Sequence, residues 1–186
     1  MKWVKAGEFR WLDFDIENRP LSYNGEYTTA EITAIAASWV GEDKVHCWAL
    51  GEVDGPTMLR EFKRLYDEAD GVTGHYIRKH DLPIINGALL EHGLPLLGPK
   101  MTCDTLLDLK KRKDISGSQE ALAEMYGLPQ PKYHMSQPKW REANRLTPEG
   151  IAYTKKRVSE DVVQHKALRQ KLLEVGALKA PRVWYP

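Results

Sequence analysis

Between Trp11 and Glu17 the chain alternates without a break: Leu12, Phe14 and Ile16 are apolar, while Asp13, Asp15 and Glu17 are acidic. Successive side chains of a strand point to opposite faces, so residues 9–16 are predicted to form a strand with one face on a core and carboxylates on the other. The rest of the fold must then supply apolar partners on one side and tolerate clustered negative charge on the other. Asp15 and Glu17, at positions i and i+2, stand roughly 7 Å apart at the Cα level and can grip one hard cation between them. Burying both without a cation is costly, so metal or solvent must be near. An exposed polar strand face carries the same pattern, and the pair alone does not separate the two readings. Asp13 adds a third acid to that face, either close to a metal or else solvent-facing or salt-bridged.

After a loop over residues 18–25, residues 32–40 and 45–50 read as two more strands. The short turns between them predict an antiparallel meander with the first. The period then changes. Met58, Leu59, Phe62, Leu65 and Tyr66 recur at helical spacing, predicting a helix over 57–69. A short strand follows at 71–76, then a helix at 82–92 with Gly93 past its end, a strand at 101–104, and helices at 105–111 and 118–126. A polar, proline-bearing connection runs over 128–138. Thr147-Pro148-Glu149 then opens a long helix that reaches about Val175 and stops at Gly176. Three antiparallel strands followed by alternating helices and strands predict an α/β fold, a mixed sheet with helices packed on it. With 186 residues and 42% hydrophobic content, residues 1–186 are expected to form one domain.

No stretch approaches the roughly 18–20 apolar residues of a membrane span, and residues 1–10 lack the apolar run of a secretory signal. Cys47 and Cys103 suit two free thiols in a reducing cytosol, with one disulfide as the alternative. The six histidines show no zinc-site spacing. The net charge of +1 hides an asymmetry: residues 1–99 carry 10 Lys/Arg against 16 Asp/Glu, and residues 100–186 carry 17 against 10. Opposite halves suit a protein that holds cations in one region and a polyanion in another.

Two further acids stand out. Asp81, in Gly74-His75-Tyr76-Ile77-Arg78-Lys79-His80-Asp81-Leu82-Pro83, falls where a loop enters a helix and, taken alone, reads as a helix cap. Asp161, in Arg157-Val158-Ser159-Glu160-Asp161-Val162, lies at the border of an apolar stripe on the last helix.

The order and spacing of these segments resemble the DEDD 3′–5′ exonucleases, the DnaQ-like family with a ribonuclease H-like fold, of the stand-alone phage or bacterial type. Phe14-Asp15-Ile16-Glu17 resembles the first motif, residues 75–83 the second and residues 157–162 the third. Met101-Thr102-Cys103-Asp104-Thr105-Leu106 is similar to a segment often found between the last two. The resemblance implies that Asp15, Glu17, Asp81 and Asp161 hold two Mg²⁺ or Mn²⁺ ions at a nucleotide 3′ end. Oxygen ligands suit such hard ions. It further implies release of nucleoside 5′-monophosphates from single-stranded nucleic acid, with DNA favoured over RNA, and a cytoplasmic setting with a replication partner. Asn18, Arg19, His75 and Arg157 are the expected substrate contacts, joined by Tyr133, His134 and Trp140 in the segment 132–141.

The chain departs from the family where the water-activating Tyr or His stands, four or five residues before the last acid. Arg157 and Lys156 hold those places, and arginine stays protonated. Three accounts are open: metal alone activates the water, a residue from elsewhere such as His165 or His75 reaches in, or activity is lost. Tyr76 and His80 also stand where Asn and Phe are common. The rival functions are a 3′–5′ exoribonuclease and a catalytically impaired nucleic-acid-binding relative.

Overall fold

The computed structural model describes residues 9–20, 30–110, 114–129 and 133–186. Its strands are β1 (Trp11–Pro20), β2 (Ala30–Trp39), β3 (His46–Ala49), β4 (Gly71–Gly74), β5 (Lys100–Asp104) and β6 (Arg182–Trp184). Its helices are α1 (Gly55–Glu68), α2 (Asp81–Glu91), α3 (Gln119–Met125), α4 (Gln137–Asn144) and α5 (Pro148–Glu174). The strands form one mixed sheet in the order β3-β2-β1-β4-β5-β6. β1, β2 and β3 pair antiparallel, β1-β4 and β4-β5 pair parallel, and β6 returns antiparallel to β5. This is the α/β, ribonuclease H-like arrangement expected from the sequence.

The alternation in β1 decides what lies on each side of the sheet. Leu12, Phe14 and Ile16 join Ile35, Ala37 and Trp39 of β2 against Met58, Leu59, Phe62 and Tyr66 of α1 and Leu82, Ile85 and Leu89 of α2. On the other side Ala34, Ala36 and Ala49 meet Val158 and Val162 of α5. In register, Asp15 pairs with Ala36 and Glu17 with Ala34. The small β2 side chains therefore let α5 come down close to the strand that carries the acids. A register shift between Glu17 and Asn18 ends the regular ladder just past the last acid.

Helix starts follow local chemistry. Asp54, Ser118 and Thr147 each accept a hydrogen bond from a first-turn amide, at Thr57, Ala121 and Gly150. Among the described residues, no helix is long and apolar enough to cross a membrane. Cys47 and Cys103 are both free thiols.

Three expectations need correction. β1 continues past Ile16 to Pro20, so residues 18–20 belong to the strand and not to the expected loop, and residues 21–25 of that expected loop lie outside the described ones. Residues 105–110 are a turn rather than a helix. Asp104 Oδ1 accepts from the amides of Leu106 and Leu107, and Asp108 Oδ2 accepts from the Asp104 amide. Side chains that bond backbone locally offer an alternative to a helical ladder, and Leu109 then bridges to Leu178. The expected connection ends in α4, where Pro138 sits in the first turn, a position that needs no amide hydrogen.

Gly150 shows how tightly α4 docks on α5. A Cβ there would stand 2.1 Å from the Glu142 carbonyl oxygen and 2.5 Å from the Ala143 nitrogen, both backbone atoms. Gly150→Ala is therefore expected to destabilise the protein by about 1–3 kcal/mol, read as a lower urea midpoint at constant slope. An unchanged midpoint would mean that α4 does not dock there.

Candidate metal centre

Asp15 and Glu17 leave β1 on the face that α5 crosses, and α5 presents Asp161 to them. One carboxylate oxygen from each of the three lies within 4.8 Å of the others. They line a cleft of about 410 Å³ together with His75, Gln119 and Arg157. Asp81 approaches from the first turn of α2. It does not cap that helix; its Oδ1 accepts from the Ile16 amide (3.3 Å) and its Oδ2 lies 3.4 Å from His80 Nδ1. Three of the four expected acids thus converge, and the fourth stands beside them with partners of its own.

Burial first, and mutual repulsion second, make the charged form of these acids costly. Burial raises the Asp15 carboxyl well above its ordinary value, and the negative charges of Asp81, Asp161 and Glu17 push it further. Arg157 opposes the shift. Asp81 is raised by burial, against the hydrogen bond from His80, and that same bond raises His80. Three oxygen donors in reach of one point, under a burden that positive charge relieves, fit a hard divalent ion such as Mg²⁺ or Mn²⁺.

Arg157 is the resident cation. Its Nε donates to Glu17 Oε1 at 2.5 Å and lies 3.9 Å from Asp161 Oδ2. Its guanidinium carbon lies 5.3 Å from the Trp140 ring centre, and Nη1 donates to the Tyr133 carbonyl (3.4 Å). Tyr133 in turn stacks with Tyr153 and lies under Lys139 and Lys156. Asn18 and Arg19 sit farther along β1, outside the cleft lining. Arg19 is tied to Glu31 (2.6 Å) and to the Asn144 carbonyl.

Behind the carboxylates runs a buried polar chain that the sequence alone did not reveal. Asp13 is completely buried, and its Oδ2 lies 2.7 Å from His165 Nδ1. His165 Nε2 lies 2.8 Å from Thr105 Oγ1, which lies 2.9 Å from His75 Nδ1. Both nitrogens of His165 are therefore engaged within the protein, which removes it as a residue reaching into the cleft. The one available signal was the alternation that put Asp13 on the face of Asp15.

Tyr76, beside His75, has φ +70°, a left-handed conformation that disfavours a bulky residue and that Asn and Gly accept. The residue is 40% exposed, so replacement also gives up the packing of the covered part of the ring. Tyr76→Asn should therefore change stability by less than about 1 kcal/mol, relieved strain offsetting lost burial, measured by chemical unfolding. A loss of several kcal/mol would mean that the ring's packing outweighs the strain. A second expectation follows from Asp15. A carboxyl raised in the folded state favours folding below its unfolded value and loses that contribution as pH rises through the folded value. In EDTA, Asp15→Asn should therefore raise the melting temperature near neutral pH, with the gain fading as pH falls toward the ordinary carboxylate range. It should also abolish any rise in melting temperature caused by Mn²⁺. A mutant less stable than wild type in EDTA would contradict the charge burden assigned to Asp15.

No protein-family model matches this chain, and no curated protein does. Among solved structures it is similar to the family B DNA polymerase from the hyperthermophilic archaeon Pyrobaculum calidifontis, with a TM-score of 0.69 and 18% identity. The alignment covers 92% of this chain and 25% of the polymerase chain, so the chain spans about a quarter of that protein's length. At this identity the likeness establishes the fold: an α/β unit that also occurs within a DNA polymerase.

Proposed function

We propose that this chain is a metal-dependent 3′–5′ exonuclease that shortens single-stranded nucleic acid, DNA in preference to RNA. The observation that carries the reading is the convergence of Asp15, Glu17 and Asp161 on one point at the edge of a cleft, with Asp81 adjacent. Such a donor set suits Mg²⁺ or Mn²⁺, and the two-ion count comes from the family resemblance. When bound, such ions supply Lewis acidity at the phosphoryl group and lower the pKa of water. The likeness of the fold to a DNA polymerase, a protein that acts on DNA, supports DNA as the polymer.

The chain's own residues have separable tasks. Asp15, Glu17 and Asp161, with Asp81 alongside, would hold the ions. Arg157 keeps a fixed positive charge against Glu17 and Asp161, which limits their mutual repulsion. A guanidinium there also pairs well with phosphate oxygens. Tyr133 and Trp140, with Lys139 and Lys156 close by, offer apolar faces and positive charge along one side of Arg157, a combination suited to an unpaired strand. The same ion pair between Arg157 and Glu17 is what favours a second reading, a nucleic-acid-binding relative without catalysis, since it engages a carboxylate that a metal would use.

A gel time course separates these. With 5′-labelled single-stranded DNA and RNA of one sequence, in Mg²⁺, Mn²⁺ or EDTA, the wild type should give a ladder shortening from the 3′ end only with metal, faster on DNA. Asp15→Asn should show none. Undiminished cleavage by the mutant would sink the site. Intact substrate in every lane, with the strand still bound, would establish the binding protein.

A further inference from the structure

We propose that the Tyr76 ring is the seat of the strand's terminal base, which stacks on it when the last phosphodiester reaches the acids. This rests on the exonuclease reading above and names the part of the substrate that the cleft recognises.

The backbone of Tyr76 is locked from several sides. Its amide donates to Asp104 Oδ1 at 3.0 Å, and the Arg78 amide donates to Asp104 Oδ2 at 3.0 Å. Its carbonyl accepts from the amides of Lys79 and His80. Asp104 and Ile77, the next residue along, are both completely buried. The loop thus imposes the φ of +70°, which disfavours a bulky side chain. Packing of the covered part of the ring offsets that strain, so folding has no net reason to prefer tyrosine over asparagine here. Strain kept at a partly exposed ring beside a cleft points to a ligand for that ring.

The cleft defines the ligand. Its volume of about 410 Å³ is of the size that encloses a small molecule, one nucleotide rather than a length of duplex. Its lining divides by chemistry. Asp15, Glu17 and Asp161, with Arg157 against them, form the phosphate end. Tyr76, Leu106 and Ile16 form the apolar part. His75 and Gln119 of the same lining are engaged, His75 with Thr105 and Gln119 with Asp161 and Gln164. Among the described residues, the Tyr76 ring makes no hydrogen bond, ion pair or ring contact. A nucleotide whose phosphate lies at the acids has its base within the same cleft, and the flat apolar surface there is this ring. Every base has such a face, so the contact accepts all four bases and rejects an end without one.

Fluorescence titrations test this. A short single strand labelled at its 5′ end, finishing in a normal or an abasic nucleotide, is followed by anisotropy in EDTA and, with Asp15→Asn as the non-cleaving background, in Mg²⁺. A companion strand carries 2-aminopurine at its 3′ end, where stacking quenches its emission. Base-bearing ends should bind about 5- to 150-fold more tightly than abasic ends, the range for one base–aromatic stack, and 2-aminopurine should be quenched. Tyr76→Phe should keep both effects. Tyr76→Asn should lose both while its urea midpoint stays near wild type. Tyr76→Leu, with apolar bulk but no ring, should lose them too, and it decides the matter if the asparagine variant proves unstable. A merely structural Tyr76 would weaken binding of both kinds of end alike. That result, or a preference for base-bearing ends that survives in Tyr76→Asn, overturns the assignment alone. A preference that depends on Tyr76 in a wild type that cleaves nothing keeps the seat and overturns the nuclease reading. A wild type that neither binds nor cleaves any strand overturns both.

Discussion

Asp15, Glu17 and Asp161 repel one another across less than 4.8 Å, and the rest of the architecture holds them there. Two like charges about 4 Å apart cost about 4 kcal/mol at an effective dielectric constant near 20, several times the net worth of a typical hydrogen bond. No single local contact can oppose that. What does is the clamping of β1 between α1 and α2 on one face and α5 on the other. Phe14 and Ile16 are anchored in one apolar cluster and Val158 and Val162 in another. The Arg157 guanidinium on Glu17 reduces the burden without removing it, since Asp15 remains raised.

The same strand carries two acids with opposite fates. Asp13 and Asp15 are two residues apart on one face of β1, and both lie beneath α5. Asp13 meets His165 one turn beyond Asp161 and is sealed from solvent. Asp15 meets Asp161 itself at the cleft. A step of four residues along α5 thus separates a buried hydrogen-bonded carboxylate from a candidate metal ligand. Asp104 is a third case: it is spent on the amides of Tyr76, Arg78, Leu106 and Leu107, and so shapes the turn that carries Thr105 and the loop that carries His75.

Much of the fold was legible because the signals were local. The alternation of β1, the helical spacing from Met58 to Tyr66, and the Thr147-Pro148 start of α5 each depend on neighbours in sequence, and the elements lie within a few residues of their expected bounds. The segments that were missed or misread depend on distant partners. β6 has only three residues and exists by pairing with β5. The turn after Asp104 competes with a helix through side chains whose other partners, Arg78 among them, lie far away in sequence. α4 is short, and its docking rests on the absence of a side chain at Gly150.

For the site, the sequence by itself determined which acids are present, that Asp13, Asp15 and Glu17 share one face, and that Arg157 stands one helical turn before Asp161. These follow from the periods of strand and helix. Only the tertiary structure decided that Asp161 closes on Asp15 and Glu17 while Asp81 keeps its own partners, and that Arg157 lies against Glu17. It alone joined Asp13 to His75 through His165 and Thr105. The physical reason is that hydrogen bonds and charge interactions act over a few ångströms of space, whatever the separation in sequence. Those links join β1, α5, the turn after β5 and the loop after β4, and they come together only when the sheet and α5 have packed.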